Sequence, residues 1–185
     1  RGLLYVPMTG DWADEYIHHG YILFDQLLYY WAQSEICSIH NFLHKSSDHI
    51  LESKVARLKH IIQTNYWFNN QPQEKGDIYH EVLYNKGKET ANQHKCRYWY
   101  SFFTPAGYGY RFDTLANVLS SLFGIASNKQ ANIDDEYIEE NVADKRSNLL
   151  PAFYPVITPK DENWNSLKMS FSYTFKNKPY EYHNG

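Results

Sequence analysis

The sequence predicts an all-α fold with long loops. Apolar side chains recur at three- and four-residue spacing in four separate stretches. Strands and helices do not alternate along the chain, which excludes a doubly wound sheet. Only one short aromatic region offers material for strands, enough for a small β-hairpin. At 185 residues, 43% hydrophobic and 21% charged, the chain has the length and balance of one globular domain.

The first helix is expected over residues 20–44. Leu23, Leu27, Trp31, Ile39, Phe42 and Leu43 follow the helical period, while Phe24, Leu28 and Tyr30 fill much of the remaining circumference. A helix apolar on most sides is built to be buried on most sides. A second helix follows Ser47 or Asp48, either of which can cap it. Its inward stripe is Leu51, Val55, Leu58, Ile62 and Tyr66, with Lys54, Arg57 and Lys59 outward. Between residues 69 and 109 the period disappears. Residues 71–77 and 86–95 read as polar loops, and residues 78–84 and 98–103 as hairpin strands or excursions over a mouth. A third helix is expected over 114–127 behind an Asp113 N-cap. A fourth runs over 133–142, with Asp134, Asp135 and Glu136 in its first turn, and a short one lies near 164–171.

The formal charge of -3 supplies no basic field for a phosphate backbone, so no nucleic-acid partner is expected. Cys37 and Cys96 form no metal-type pair and read as reduced thiols. The most apolar run, residues 21–32, is too short to span a bilayer and contains Asp25 and Gln26, so no membrane partner is expected either. No leader is visible, and a cytoplasmic location is the expectation. The chain opens at Arg1 and stops at Gly185 with no element completed there. Residues 1–185 therefore read as a single incomplete domain, truncated at both ends.

The aromatic content is high, with 17 Tyr, 10 Phe and 5 Trp in 17% of the sequence. Large rings build helix-to-helix cores. They also stack on sugar faces while their polar tips bind hydroxyls. The run Gly10-Asp11-Trp12-Ala13-Asp14-Glu15-Tyr16-Ile17-His18-His19-Gly20-Tyr21 puts three carboxylates, two histidines and a tryptophan before the first helix. Glycosidic cleavage needs one carboxylic acid for the leaving oxygen and a second carboxylate across the ring. A tryptophan beside the acid supplies an apolar wall that raises its pKa. The plain alternative is an acidic loop in which Asp14 or Glu15 caps the helix.

Gly10-Asp11-Trp12-Ala13-Asp14, His19-Gly20 and Gln26-Leu27-Leu28-Tyr29-Tyr30 resemble the glycogen-debranching (amylo-α-1,6-glucosidase) type of glycoside hydrolase. Residues 112–117, running into 122–126, are similar to a later inner helix of that family. The ending at 178–185 is similar to the approach to its Gly-x-Trp-Pro loop. The resemblance implies a partial (α/α)6 toroid of the six-hairpin glycosidase clan, an inverting mechanism on an α-glucosidic bond, and an oligosaccharide or polysaccharide substrate. It implies no cofactor. It places the general acid on Asp14 and leaves Asp11 to bind hydroxyls or orient the loop. Ala13 and Tyr21-Ile22 depart from the debranching pattern, so invertase- and trehalase-like toroids, and a non-catalytic carbohydrate-binding scaffold, stand as alternatives. The base lies late in that family, and the 185-residue chain is expected to be inactive alone.

Trp12, His19, Tyr108, Tyr110, Glu181 and His183 complete the expected substrate contacts, with His18 beside them. Tyr108 and Tyr110 sit in a glycine-rich turn that suits ring platforms, and Glu181 and His183 in a tyrosine-rich loop. Asp113 reads as a helix cap before a site residue. His40 and His44 have zinc-compatible spacing, but Asn41 stands where a HExxH motif needs glutamate, and no metal is expected. No nucleophile elbow or phosphate loop occurs.

Overall fold

The computed structural model describes residues 2–8, 10–12, 18–68, 76–144, 149–161 and 164–165. In chain order the elements are β1 (Tyr21–Ile22), α1 (Leu23–His44), α2 (His49–Tyr66), α3 (Glu81–His94), β2 (Tyr100–Thr104), β3 (Gly107–Asp113), α4 (Thr114–Leu122), α5 (Asn128–Tyr137) and β4 (Phe153–Tyr154). A π-helical turn, Ile138–Val142, extends α5.

The expectation of an all-α partial toroid is overturned. Among the described residues, five helices accompany a four-stranded antiparallel sheet of order β1-β2-β3-β4. Only β2 overlaps a stretch that the sequence offers as a strand, residues 98–103. The other such stretch, 78–84, runs into α3 instead, and β1, β3 and β4 lie outside both. β1 and β4 are two residues long, too short to alternate. In β2, four of five residues are buried, so neither face shows as polar. Tyr21 and Ile22, expected to open the first helix, instead pair with Phe103 and Phe102.

The polar stretch 86–95 also departs from expectation, because most of it belongs to α3. The buried line of that helix is Tyr84, Gly87 and Ala91, at helical spacing but with only one large side chain, so the period is faint. Lys95 ends it in the left-handed region at φ 51°. The fourth helix begins at Asn128 rather than 133, because Ser127 and Gln130 form a reciprocal capping box. Asp134 therefore sits mid-helix and buried rather than in a first turn. α4 stops at Leu122, with Gly124 at φ 67° turning the chain. The expected caps Asp48 and Asp113 are both present, accepting from Leu51 N at 3.1 Å and Ala116 N at 3.0 Å. The short helix expected near 164–171 lies mostly outside the described residues.

Leu23 and Leu27 of α1, Leu58, Ile62 and Tyr66 of α2, Phe103 of β2 and Ala116 of α4 meet in one core with Trp67 and Trp99. Three buried amide side chains hold irregular backbone against that core. Gln26 exchanges two 2.8 Å hydrogen bonds with the main chain of Leu4. Asn65 accepts from Tyr79 N and donates to Asp77 O, both at 2.8 Å. Asn117 does the same for Trp99. Each amide substitutes for a strand neighbour, so extended segments lie beside helices without orphaned backbone groups.

The outer faces of α1 and α4 expose apolar side chains. Ile36, Ile39, Phe42 and Leu43 stand out on α1, and Leu115, Val118 and Leu122 on α4. No helix among the described residues is long and apolar enough to cross a membrane.

Candidate active site

Backbone pairing closes the loop that precedes β1. Val6 N donates to Gly20 O at 2.7 Å and Gly20 N to Val6 O at 2.8 Å, joining the two ends of residues 7–19. Gly20 adopts φ +92°, and a Cβ there would lie 2.6 Å from Phe103 O. Only glycine can hold that junction against β2.

Within the loop, Asp11 is 6% exposed and its Oδ1 accepts from Trp12 N at 2.7 Å. The carboxylate of Asp25, in the first turn of α1, acts on Asp11 electrostatically. Neither Asp11 Oδ2 nor Asp25 Oδ2 has a protein donor among the described residues, and Asp113 Oδ2 is likewise enclosed without one. Like charges at close range raise one another's carboxyl pKa. Burial, then the charge of Asp25, pushes the Asp11 carboxyl up to about 7, against the opposing Trp12 N–H. Burial also raises Asp25, and lifts Asp113 to about 7 despite its capping bonds. Among the described residues no three His, Cys, Asp or Glu side chains are placed to share a metal ion.

Trp12 stacks on Phe153, ring centroids 6.0 Å apart at 14°, and touches Phe24 at 6.1 Å. His18, 3% exposed, meets the same Phe153 edge-on at 4.9 Å and Phe102 at 4.8 Å. Burial, followed by the nearby charges of Arg111 and His19, lowers the His18 imidazole to about 4, so it is neutral at pH 7. His18 is also one wall of a cavity of about 490 Å³, shared with Phe102, Tyr108, Gly109, Tyr110 and Arg111 and closed by Lys160 and Asp161.

Tyr108 packs its ring on Phe68 and Phe103, and burial holds its phenol protonated. Tyr110 is 46% exposed and stacks on His94 at 5.5 Å and 5°. Arg111 is committed to Asp161 and Pro155 O, which fixes the cavity floor. Asp161 also accepts from Thr158 N at 2.6 Å and the Thr158 hydroxyl at 2.8 Å. Although burial pushes the Asp161 carboxyl up, these donors and Arg111 hold it below its ordinary range.

Of the residues expected from sequence, Tyr108 and Tyr110 line the cavity beside His18, with His19 next in the chain. Trp12 reaches the same region through Phe153. Asp11 is buried beside Asp25, away from the cavity lining. Asp14, Glu181 and His183 lie outside the described residues. Asp113 caps α4, as expected, and also belongs to the carboxyl cluster. His40 and His44 bring their rings to 4.4 Å. Sequence reasoning passed over Asp25, Phe102, Arg111 and Phe153. The one available signal was Asp25-Gln26 inside the most apolar run, where polar side chains need a partner. No family model and no curated protein matches this chain.

Proposed function

We propose that this chain carries the acid side of a glycoside hydrolase site, inverting and acting on an α-glucosidic bond, with Asp14 as general acid. One observation carries the reading. Trp12 and His18, the described residues on either side of the segment containing Asp14, both pack on Phe153, and His18 opens onto the tyrosine-walled cavity. Aromatic walls with a few hydroxyls and cations suit a sugar, which offers an apolar ring face and a polar rim. The reading rests on this loop and cavity and no longer on a toroid.

In the proposed reaction Asp14 protonates the leaving oxygen, and a second carboxylate about 6.5–9.5 Å away activates water. His18 stays neutral and contributes shape and a hydrogen-bonding edge. Tyr108 and Tyr110 are the ring platforms. Asp11 is the support beneath the loop, because burial keeps it from the cavity.

The test compares Asp14→Asn with Asp11→Asn in a preparation that hydrolyses α-linked gluco-oligosaccharides. General acid catalysis contributes typically 10²–10⁴-fold, so Asp14→Asn should lower kcat at least about a hundredfold while binding persists. Substrates with good leaving groups should be partly spared. An unchanged kcat in Asp14→Asn removes Asp14 from the role. A hundredfold loss in Asp11→Asn alone transfers the acid to Asp11.

A further inference from the structure

We propose that the cavity beside His18 receives a sugar bearing a single carboxylate, a uronic acid unit, and that the Lys160 ammonium group recognises that carboxylate. As the substrate class of the proposed hydrolase site, a uronic acid depends on that reading. The charges around the cavity point to it. Of the described lining residues, Arg111, Lys160 and Asp161 carry charge, and His18 is buried and neutral at pH 7. Arg111 and Asp161 cancel one another. One guanidinium nitrogen donates to Asp161 Oδ1 and a second to Pro155 O. Asp161 Oδ2 is occupied too, by Thr158 N at 2.6 Å and the Thr158 hydroxyl at 2.8 Å. Both oxygens of the one acid among the described lining residues are therefore taken. Lys160, its neighbour in the chain, is left over. No ion pair among the described residues includes it.

The described lining thus carries one positive charge more than its own acid neutralises. An exposed lysine on a convex surface is simply solvated. Lys160 is exposed but borders a concavity of about 490 Å³, a size that suits a small molecule rather than a single ion. The other walls are Phe102 and the rings of Tyr108 and Tyr110. Tyr110, stacked on His94 and still 46% exposed, presents a flat ring with a hydroxyl at its edge. Such walls take the apolar face of a pyranose, and the ammonium group takes a charged substituent on its rim. One uncompensated cation matches the single charge of a carboxylate. A phosphate ester, with about -1.5 to -2, would keep much of its charge unmatched, because Arg111 is already committed to Asp161. Lys160 therefore selects the substrate and takes no part in breaking the bond.

The test is an NMR titration of the 185-residue chain with methyl α-glucoside, methyl α-glucuronide and methyl α-glucoside 6-phosphate, read at the Tyr108 and Tyr110 rings. The glucuronide should bind about tenfold more tightly than the glucoside, the size of one charged hydrogen bond. That advantage should shrink as salt is raised. Lys160→Gln should erase it, and Lys160→Arg should keep most of it. Lys160 is exposed, so both variants should fold normally. Equal affinity for glucoside and glucuronide overturns the carboxylate assignment and leaves the hydrolase reading standing. A preference for the 6-phosphate over the glucuronide, or one that survives Lys160→Gln, overturns it as well. If none of the three sugars moves the tyrosine signals, the cavity is not a sugar site and both readings fall. If the glucuronide is preferred but Asp14→Asn leaves kcat unchanged, the binding assignment stands and Asp14 alone loses its role.

Discussion

Asn117 holds both backbone polar groups of Trp99. Its Oδ1 accepts from Trp99 N at 2.8 Å and its Nδ2 donates to Trp99 O at 3.2 Å, with a further bond to Asp113 O at 2.8 Å. Trp99 is fully buried and precedes β2, so this one amide joins α4 to the sheet. Asn117→Ala should cost about 2–4 kcal/mol, because it leaves an N–H and a C=O enclosed without partners. Urea unfolding of the variant measures it. A loss under about 0.5 kcal/mol would mean that water replaces the amide.

Gly109 faces Phe102 across β2 and β3, and a Cβ there would lie 2.2 Å from its ring. Gly109→Ala must therefore turn Phe102 off His18, at a cost of about 1–3 kcal/mol. Because burial is the first cause of the low His18 pKa, displacing Phe102 should let that pKa rise from about 4 toward its ordinary value. Imidazole titration by NMR reads the change. An unmoved titration would show that Phe102 shields nothing.

His18 also gives the fold an acid-side sensitivity. Its folded pKa, about 4, is depressed below the ordinary value of 6.5, so its contribution is fully present above that value. It is lost as pH falls from 6.5 toward 4, because the unfolded chain takes up the proton first. The difference in urea midpoint between wild type and His18→Asn should shrink over that window. The span corresponds to about 3 kcal/mol at most. A constant difference between pH 7 and pH 4.5 would contradict the burial argument.

Asp134 behaves oppositely. It is 2% exposed, neither oxygen has a partner among the described residues, and burial raises it to about 8. The carboxyl is neutral in the folded chain, so stability declines as pH rises from about 4 and the penalty is complete above 8. Asp134→Asn should match wild type near pH 4 and exceed it by at least about 1 kcal/mol at pH 8.5. Parallel stability curves would refute this.

The contrast between Asp113 and Asp134 shows what sequence could reveal. Asp113 stands directly before an apolar helix, a local signal, and it caps α4. Asp134 reads as a first-turn residue only if α5 starts at 133, and the helix starts at Asn128. Yet Ser127 and Gln130 carry the capping box in the sequence itself. Helices α1 and α2 were legible from long aliphatic periods. α3 was not, since Gly87 and Ala91 contribute no hydrophobic signal. Gly87 is small because a Cβ would lie 2.4 Å from the Phe68 ring. Tyr108 and Tyr110, read from the glycine spacing as a turn, belong instead to strand β3, where alternate residues are glycine or tyrosine and no apolar–polar alternation shows. The influence of Asp25 on Asp11 was not legible, because only the fold decides which way a loop carboxylate faces a helix.

The order of the sheet bears on how the chain finds its structure. β2 and β3 meet through a short turn, but Tyr21 of β1 pairs with Phe103 of β2, and three helices lie between them in sequence. Bringing such distant segments together forfeits chain entropy before any contact rewards it. The β2–β3 hairpin and helices α1 and α2 can form early from local contacts. The β1 edge, and with it the Gly20 junction that closes the acidic loop, must come last. Substitutions at Gly20 should accordingly accelerate unfolding and leave the folding rate nearly unchanged.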